Sequence, residues 1–140
     1  MSYLLDTSTL SELHKRKPDP RVTDWFEAAP QEKLYMSCLT VGEIRRGIER
    51  LQRKDEVRAR GIERWLAALR LFYQDRIVAV DVEIAERWGR INAAATLPPI
   101  DALLAATALV RGWTVVTRNT ADFARSGVGI LNPWEDAAAR

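Results

Sequence analysis

Short apolar runs alternate along the chain with longer stretches in which apolar residues recur every three or four positions. Tyr3–Leu5 is the first run, and it leads straight into Asp6 and the small hydroxyl residues Thr7, Ser8 and Thr9. A helix with Leu10 and Leu13 inward should follow, broken by the Lys- and Pro-rich segment 15–20. Val22, Trp25 and Phe26 are spaced for a short helix that stops near Pro30, and Leu34–Ser37 reads as a second strand. From Thr40, the residues Val41, Ile44, Ile48 and Leu51 lie on or near one helical face. Ile62, Trp65, Leu66, Leu69 and Phe72 predict an amphipathic helix over about residues 57–74. Residues 76–80 read as a strand, and Ile84, Trp88 and Ile91 as a helix face. After Pro98 and Pro99, residues 100–110 form a helix apolar nearly all round. Residues 113–117 are the clearest strand, followed by a helical turn at 120–123 and an edge strand at 128–131.

Short apolar strands alternating with helices imply a mostly parallel sheet covered on both faces, an α/β/α sandwich. In such sheets ligands sit outside the carboxyl ends of the strands. Asp6 stands at one such end, and Asn119 lies just past another.

Composition narrows the class without naming it. With 140 residues, 47% of them hydrophobic and 29% charged, the chain reads as one globular domain over residues 1–140. Cys38 is the one cysteine, which excludes an internal disulfide and points to a reducing compartment, the cytoplasm. No basic segment precedes the first apolar run, and the longest apolar stretch, 103–110, is too short to span a bilayer, so no membrane association is expected. The net charge of +2 says little about partners; its distribution says more.

Three carboxylates stand out by context. Asp6 ends the first strand, Glu43 falls in the first turn of the predicted third helix, and Asp101 is the one charge between the double proline and Arg111. Each has a purely structural alternative: Asp6 as a helix cap, Thr40-Val-Gly-Glu43 as a capping box, Asp101 as a complement to a helix dipole. Taken together they can converge at the carboxyl edge of a parallel sheet. Converging carboxylates repel unless a proton or a cation sits among them. Oxygen-only donors suit Mg²⁺ or Mn²⁺ rather than zinc, and a chain with one histidine and one cysteine offers zinc little. His14 reads as a half-buried helix residue. Gly47, one turn beyond Glu43, either keeps that face low for a substrate backbone or allows close helix packing.

The segments YLLDTSTLSE, LTVGEIRRGIE, IDALLAATALVRGWTVVTRNTADF and NPW resemble the PIN-domain family, in particular the VapC-type toxins of bacterial toxin–antitoxin pairs. The resemblance runs over nearly the whole chain in the family's order. It implies a three-layer α/β/α fold and a Mg²⁺- or Mn²⁺-dependent ribonuclease, held inactive by a small cognate antitoxin and forming a homodimer and a toxin–antitoxin hetero-oligomer. Matched residue by residue, the family's first three acids fall on Asp6, Glu43 and Asp101. The fourth falls on Asn119, with Asp122 three residues on, a departure from the four-carboxylate pattern. Asparagine coordinates through a neutral oxygen or holds a metal-bound water, so one or two metals are both compatible. Thr7 and Thr117 are placed to orient waters or ligands.

The expected chemistry is metal-assisted phosphodiester hydrolysis. Asp6 and Asp101 anchor the cation and Glu43 positions a water or a second ion. RNA needs cations as well: Arg46 is the first candidate for a phosphate contact, with Lys15, Arg16 and Arg118 near the same edge. Arg45, Arg46, Arg50, Arg53, Lys54, Arg58, Arg60 and Arg64 form a basic run that reads as an RNA surface or as a solvated helix face. The five tryptophans read as core or interface, and the Trp65 helix carries an apolar stripe suited to the antitoxin or a second copy of the chain. Two alternatives stand beside this reading. One is a PIN-like module that binds RNA or antitoxin with weakened catalysis. The other is an aspartate-based phosphatase, although that chemistry needs a second Asp where this chain has Ser8.

Overall fold

The structure, a computed structural model, describes residues 1–136. Its strands are β1 (Tyr3–Leu5), β2 (Leu34–Ser37), β3 (Ile77–Val78), β4 (Thr114–Val116) and β5 (Ile130–Leu131). They form one sheet in the order β3-β2-β1-β4-β5, and every neighbouring pair is parallel. The connections hold α1 (Thr7–His14), α2 (Pro20–Ala28), α3 (Cys38–Gln52), α4 (Glu56–Phe72), α5 (Val82–Ala94), α6 (Pro99–Arg111) and α7 (Thr120–Ala124). A single 3-10 turn, Gln31–Lys33, precedes β2.

The period-two alternation of the strands divides the core. Leu4 and Val115 turn to one face, where Ile84 and Ile91 of α5, the buried alanines of α6 and Phe123 cover them. Leu5, Val116, Leu34 and Met36 turn to the other face, against Leu10 and Tyr73. Ile44, Ile48, Ala59 and Leu66 zip α3 to α4 in a further cluster. The result is the three-layer α/β/α arrangement with a parallel sheet that the apolar pattern implies, since strands buried on both faces read as unbroken apolar runs.

The ends of α6 obey local rules. Pro99 occupies the first turn, where a missing N–H costs nothing, and Gly112 closes the helix at φ 73° in the left-handed region. In between, Ala102, Leu104, Ala105, Ala106, Thr107 and Ala108 are all buried. The helix is thus fixed against the sheet with its first turn, and Asp101, at the sheet's carboxyl edge.

Three boundaries differ most from the sequence expectation, among them the last strand, which keeps only Ile130–Leu131 of residues 128–131. The third helix starts at Cys38 rather than Thr40, because buried Ser37 ends β2 and caps the helix at once: its Oγ accepts the Leu39 N–H at 3.0 Å. The third strand keeps only Ile77–Val78 of residues 76–80. Asp81 draws the chain into α5, accepting the Ile84 N–H at 2.9 Å.

Candidate functional site: an acidic rim at the carboxyl edge

Asp6 leaves β1 with its own N–H still in the sheet, donating to the Val116 carbonyl at 3.0 Å. It occupies the N-cap position of α1, yet its side chain caps nothing. Oδ2 instead accepts the Thr117 hydroxyl at 2.6 Å and the Ser8 hydroxyl at 3.1 Å. The carboxylate is only 7% exposed, so these donors offset part of the cost of leaving water. Thr117, fully buried just after β4, also accepts the Asn119 N–H at 2.9 Å. One hydroxyl therefore fixes both Asp6 and the loop that delivers Asn119.

Glu43 does not close a capping box. Ser37 is the cap, so Glu43 lies a turn deeper in α3 than expected, and Thr40 is a buried helix residue. The Glu43 Oε1 accepts the Thr7 hydroxyl at 2.6 Å, and Thr7 Oγ1 lies 3.2 Å from the Thr40 hydroxyl. Thr7 thus ties the start of α1 to α3.

Asp101 sits half-buried in the first turn of α6. Asn119 Nδ2 donates to Asp101 Oδ2 at 3.0 Å and to Asp122 Oδ2 at 2.9 Å, bridging the two acids with a neutral amide. The Asp101 carboxyl is pushed up to about 6. Burial is the first cause, followed by the negative charges of Asp6, Asp122 and Glu43, against the lowering effect of the Asn119 hydrogen bond. Four acids from four separate segments therefore share one electrostatic neighbourhood.

The donor chemistry of this rim, carboxylate and amide oxygen, is that of hard divalent cations. The arrangement is not closed around one. Among the described residues, no group of three or more His, Cys, Asp or Glu side chains is arranged to hold a metal ion. The Asn119 amide hydrogens already satisfy one oxygen each of Asp101 and Asp122. His14 belongs elsewhere: it is exposed rather than half-buried, stacked on Trp65 with ring centroids 4.4 Å apart.

The cations around the rim fall into distinct groups. Arg46 is exposed and lines a groove of about 590 Å³ with Glu49, Arg50, Arg53 and Lys54. Lys15 is held by buried Glu12 at 2.8 Å, while Arg16 is exposed. The Arg118 guanidinium lies 5.4 Å from the ring centre of buried Trp134. The basic run is not a uniform surface, because Arg45 pairs with Glu63 through both terminal guanidinium nitrogens and Arg60 pairs with Glu56. Arg58 and Arg64 line a separate groove of about 680 Å³ beside His14 and Trp65. Gly47 is exposed and a methyl there would touch nothing, which removes close helix packing as its explanation.

Sequence reasoning missed Ser8 and Thr40 as parts of the rim and Glu12 as the clamp on Lys15. Ser8 had a signal, as the hydroxyl two residues after a strand-end aspartate. Glu12 had one in its i,i+3 spacing to Lys15, but its second contact, the Asp19 N–H at 2.9 Å, lies in the loop before α2 and had none.

A five-stranded parallel α/β/α domain with acids gathered at the carboxyl edge of its sheet defines a class of protein built for polar chemistry at that edge. The chain belongs to the PIN-domain family, whose PIN domain profile matches residues 3–128. It is 34% identical over 140 residues to the plasmid stability protein StbB of Pseudomonas syringae pv. tomato, covering 94% of this chain and 98% of that one. It is also 34% identical over 142 residues to the VapC ribonuclease Y4jK of Sinorhizobium fredii, covering 96% and 99%. The crystal structure of FitAcB from Neisseria gonorrhoeae superposes with a TM-score of 0.87 at 29% identity, over 95% of this chain and 99% of that one. A toxin–antitoxin complex from Klebsiella pneumoniae matches with a TM-score of 0.68 at 29% identity, over 96% and 99%. The chain is thus a PIN-domain protein related to VapC- and FitB-type toxins.

Proposed function

We propose that this chain is the toxin of a toxin–antitoxin pair, acting on RNA in the cytoplasm by Mg²⁺- or Mn²⁺-dependent phosphodiester hydrolysis at the acidic rim. The carrying observation is geometric: Thr117 ties Asp6 of β1 to the loop that delivers Asn119, and the Asn119 amide bridges Asp101 of α6 and Asp122 of α7, so acids from distant segments meet at one sheet edge. Asp6 and Asp101 would hold the cation, with Glu43 beside it and Asn119 or Asp122 completing the set. When bound, such a cation lowers the pKa of a water and stabilises charge on the phosphate oxygens. The chain's own residues orient that chemistry: Thr117 and Ser8 fix Asp6, Thr7 fixes Glu43, and Arg46 faces the incoming polyanion. Relatives named as ribonucleases and as a toxin–antitoxin complex support the reading and an antitoxin partner. A small antitoxin and a homodimer are part of the same proposal.

The test is cleavage of a structured RNA by the purified chain, with Mg²⁺ or with EDTA, beside Asp6→Asn and Asp101→Asn. The proposal expects cleavage only with the divalent ion and only by the parent. Equal cleavage by the variants refutes it.

A second reading has its own observation. The Asn119 amide bridges Asp101 and Asp122, and no group of three ligating side chains is assembled among the described residues. Taken alone, that side-chain arrangement favours a PIN-like module that binds RNA or antitoxin with weakened catalysis over a full nuclease. Mn²⁺ titration separates the two: a nuclease binds the ion and loses it on Asp101→Ala, whereas a binding module binds RNA and shows neither. The phosphatase alternative has no such support, since Ser8 donates to Asp6 Oδ2 at the position where that chemistry needs a second acid.

A further inference from the structure

The face of α3 that carries Glu43 continues toward the helix's C-terminus as a row of cations. At about 100° per residue, Arg46, Arg50, Arg53 and Lys54 project within about a quarter-turn of the Glu43 direction. Arg53 is the C-cap and stays in the right-handed helical region at φ −75°, ψ −22°, and the Lys54 N–H still donates to the Leu51 carbonyl at 2.8 Å, so the row runs on past the helix end. At a rise of about 1.5 Å per residue, Glu43 and Lys54 lie roughly 16 Å apart along the axis. The four cations and Glu49 line one groove of about 590 Å³.

Two features set this row apart from the paired cations beside it. The first is ion pairing. Arg45, on the flank toward α4, is neutralised by Glu63, and Arg60 by Glu56, while no ion pair engages Arg46, Arg50, Arg53 or Lys54 among the described residues. Glu49 lines the same groove, one acid against four cations, so the row keeps a surplus of positive charge. The second is access. Exposed Gly47 borders the row, where a side chain would stand in open space, so nothing walls the groove off.

We propose that Arg46, Arg50, Arg53 and Lys54 form a track for a single RNA strand, which enters the acidic rim at Glu43 and is held by its phosphates along α3. The proposal rests on the RNA-directed reading above and deepens it. The track contacts phosphates alone, so it supplies affinity and a minimum substrate length rather than sequence choice. A row of this length spans several nucleotides, and an RNA too short to reach past Arg46 forgoes most of it.

The test is fluorescence anisotropy with a labelled 12-nucleotide single-stranded RNA in EDTA, at several salt concentrations, on the full chain. The triple variant Arg50→Gln/Arg53→Gln/Lys54→Gln is expected to bind at least tenfold more weakly. Its salt slope should be shallower by about 2, from three lost phosphate contacts at about 0.7 each. Arg50→Lys/Arg53→Lys is expected to keep both the affinity and the slope, whereas the Gln variant, of similar helix propensity, loses both, a contrast that a role confined to helix stability does not predict. If the triple variant does not fold, Arg53→Gln alone, at the exposed cap, should lower the slope by about 0.7. An unchanged affinity and slope overturn the track. So does a change in sedimentation from dimer to monomer with RNA binding intact, which would make the row an interface between copies. A parent that binds no RNA at all refutes the functional reading itself, whereas a parent that binds beside an equally tight variant refutes the track alone.

Discussion

The Thr117 hydroxyl donates to Asp6 Oδ2 at 2.6 Å, joining residues 111 positions apart at the ends of adjacent parallel strands. The same oxygen accepts the Asn119 N–H, so a buried threonine connects the carboxylate on β1 to the loop after β4. Thr117→Val keeps the volume and removes both functions. It should lower unfolding free energy by about 1–3 kcal/mol, the usual cost of stranding a buried polar partner. Urea melts check this, with Thr117→Ser expected to recover most of the loss.

Asp101 predicts a pH dependence with a definite sign. Its carboxyl is raised from an ordinary value of 3.8 to about 6, so the folded chain holds this proton more tightly than the unfolded chain. The resulting stabilisation is complete below the unfolded value and is lost as pH rises through the folded one. Asp101→Asn should therefore match the parent near pH 3.5 and be more stable than it at pH 8, with the gap opening between about pH 4 and 6. Thermal melts across that range read it directly. A variant that is less stable than the parent at pH 8 contradicts the repulsive neighbourhood.

Much of this site was legible in the sequence because strand ends are legible. An apolar triplet ending in Asp6 and an apolar helix opening on Asp101 each announce which end of the sheet their acid occupies. The structure brings Glu43 to the rim from the second turn of α3 rather than the first, and the structural alternative for it, a capping box, does not form. The motif Thr40-Val-Gly-Glu43 satisfies a capping box on paper, but Ser37 reaches the helix start first, and the Glu43 partner is Thr7 in another helix. Contacts across 36 or 111 positions leave no periodicity to read, so the hydroxyl scaffold of Thr7 and Thr117 had only its proximity to the acids to suggest it. The division of the basic run into paired and unpaired arginines was invisible for the same reason: Glu63 meets Arg45 only once α3 and α4 pack.

Arg76 is a structural prediction away from the rim. Its Nη1 donates to the carbonyls of Gln31 and Leu34 at 2.5 and 2.7 Å, Nη2 donates to the Phe72 carbonyl at 3.2 Å, and the guanidinium lies over the Tyr73 ring at 4.8 Å. The side chain is 14% exposed and locks the end of α4 to the turn before β2. Lysine keeps the charge but lacks the fork, so Arg76→Lys should still cost about 1–3 kcal/mol in chemical denaturation.

Asn119→Asp tests the rim most directly, because it exchanges the neutral bridge between Asp101 and Asp122 for a further negative charge. Without divalent ions, two donated hydrogen bonds are lost and five acidic groups crowd where the Asp101 carboxyl is already raised to about 6. The variant should therefore melt below the parent at pH 8 in EDTA, and the deficit should shrink as pH falls and the acids protonate. Added Mn²⁺ should reverse the order, since a hard cation gains from each carboxylate oxygen it meets. A tenfold tightening of Mn²⁺ binding, about 1.4 kcal/mol, is the expected size, read by calorimetry alongside the melts. Asp101→Ala placed in the same background should abolish the gain, because removing one acid both relieves the repulsion and takes away a ligand. If Asn119→Asp were instead as stable as the parent in EDTA and indifferent to Mn²⁺, the acids would be titrating independently. The rim would then be a set of separate helix-terminal charges rather than one centre.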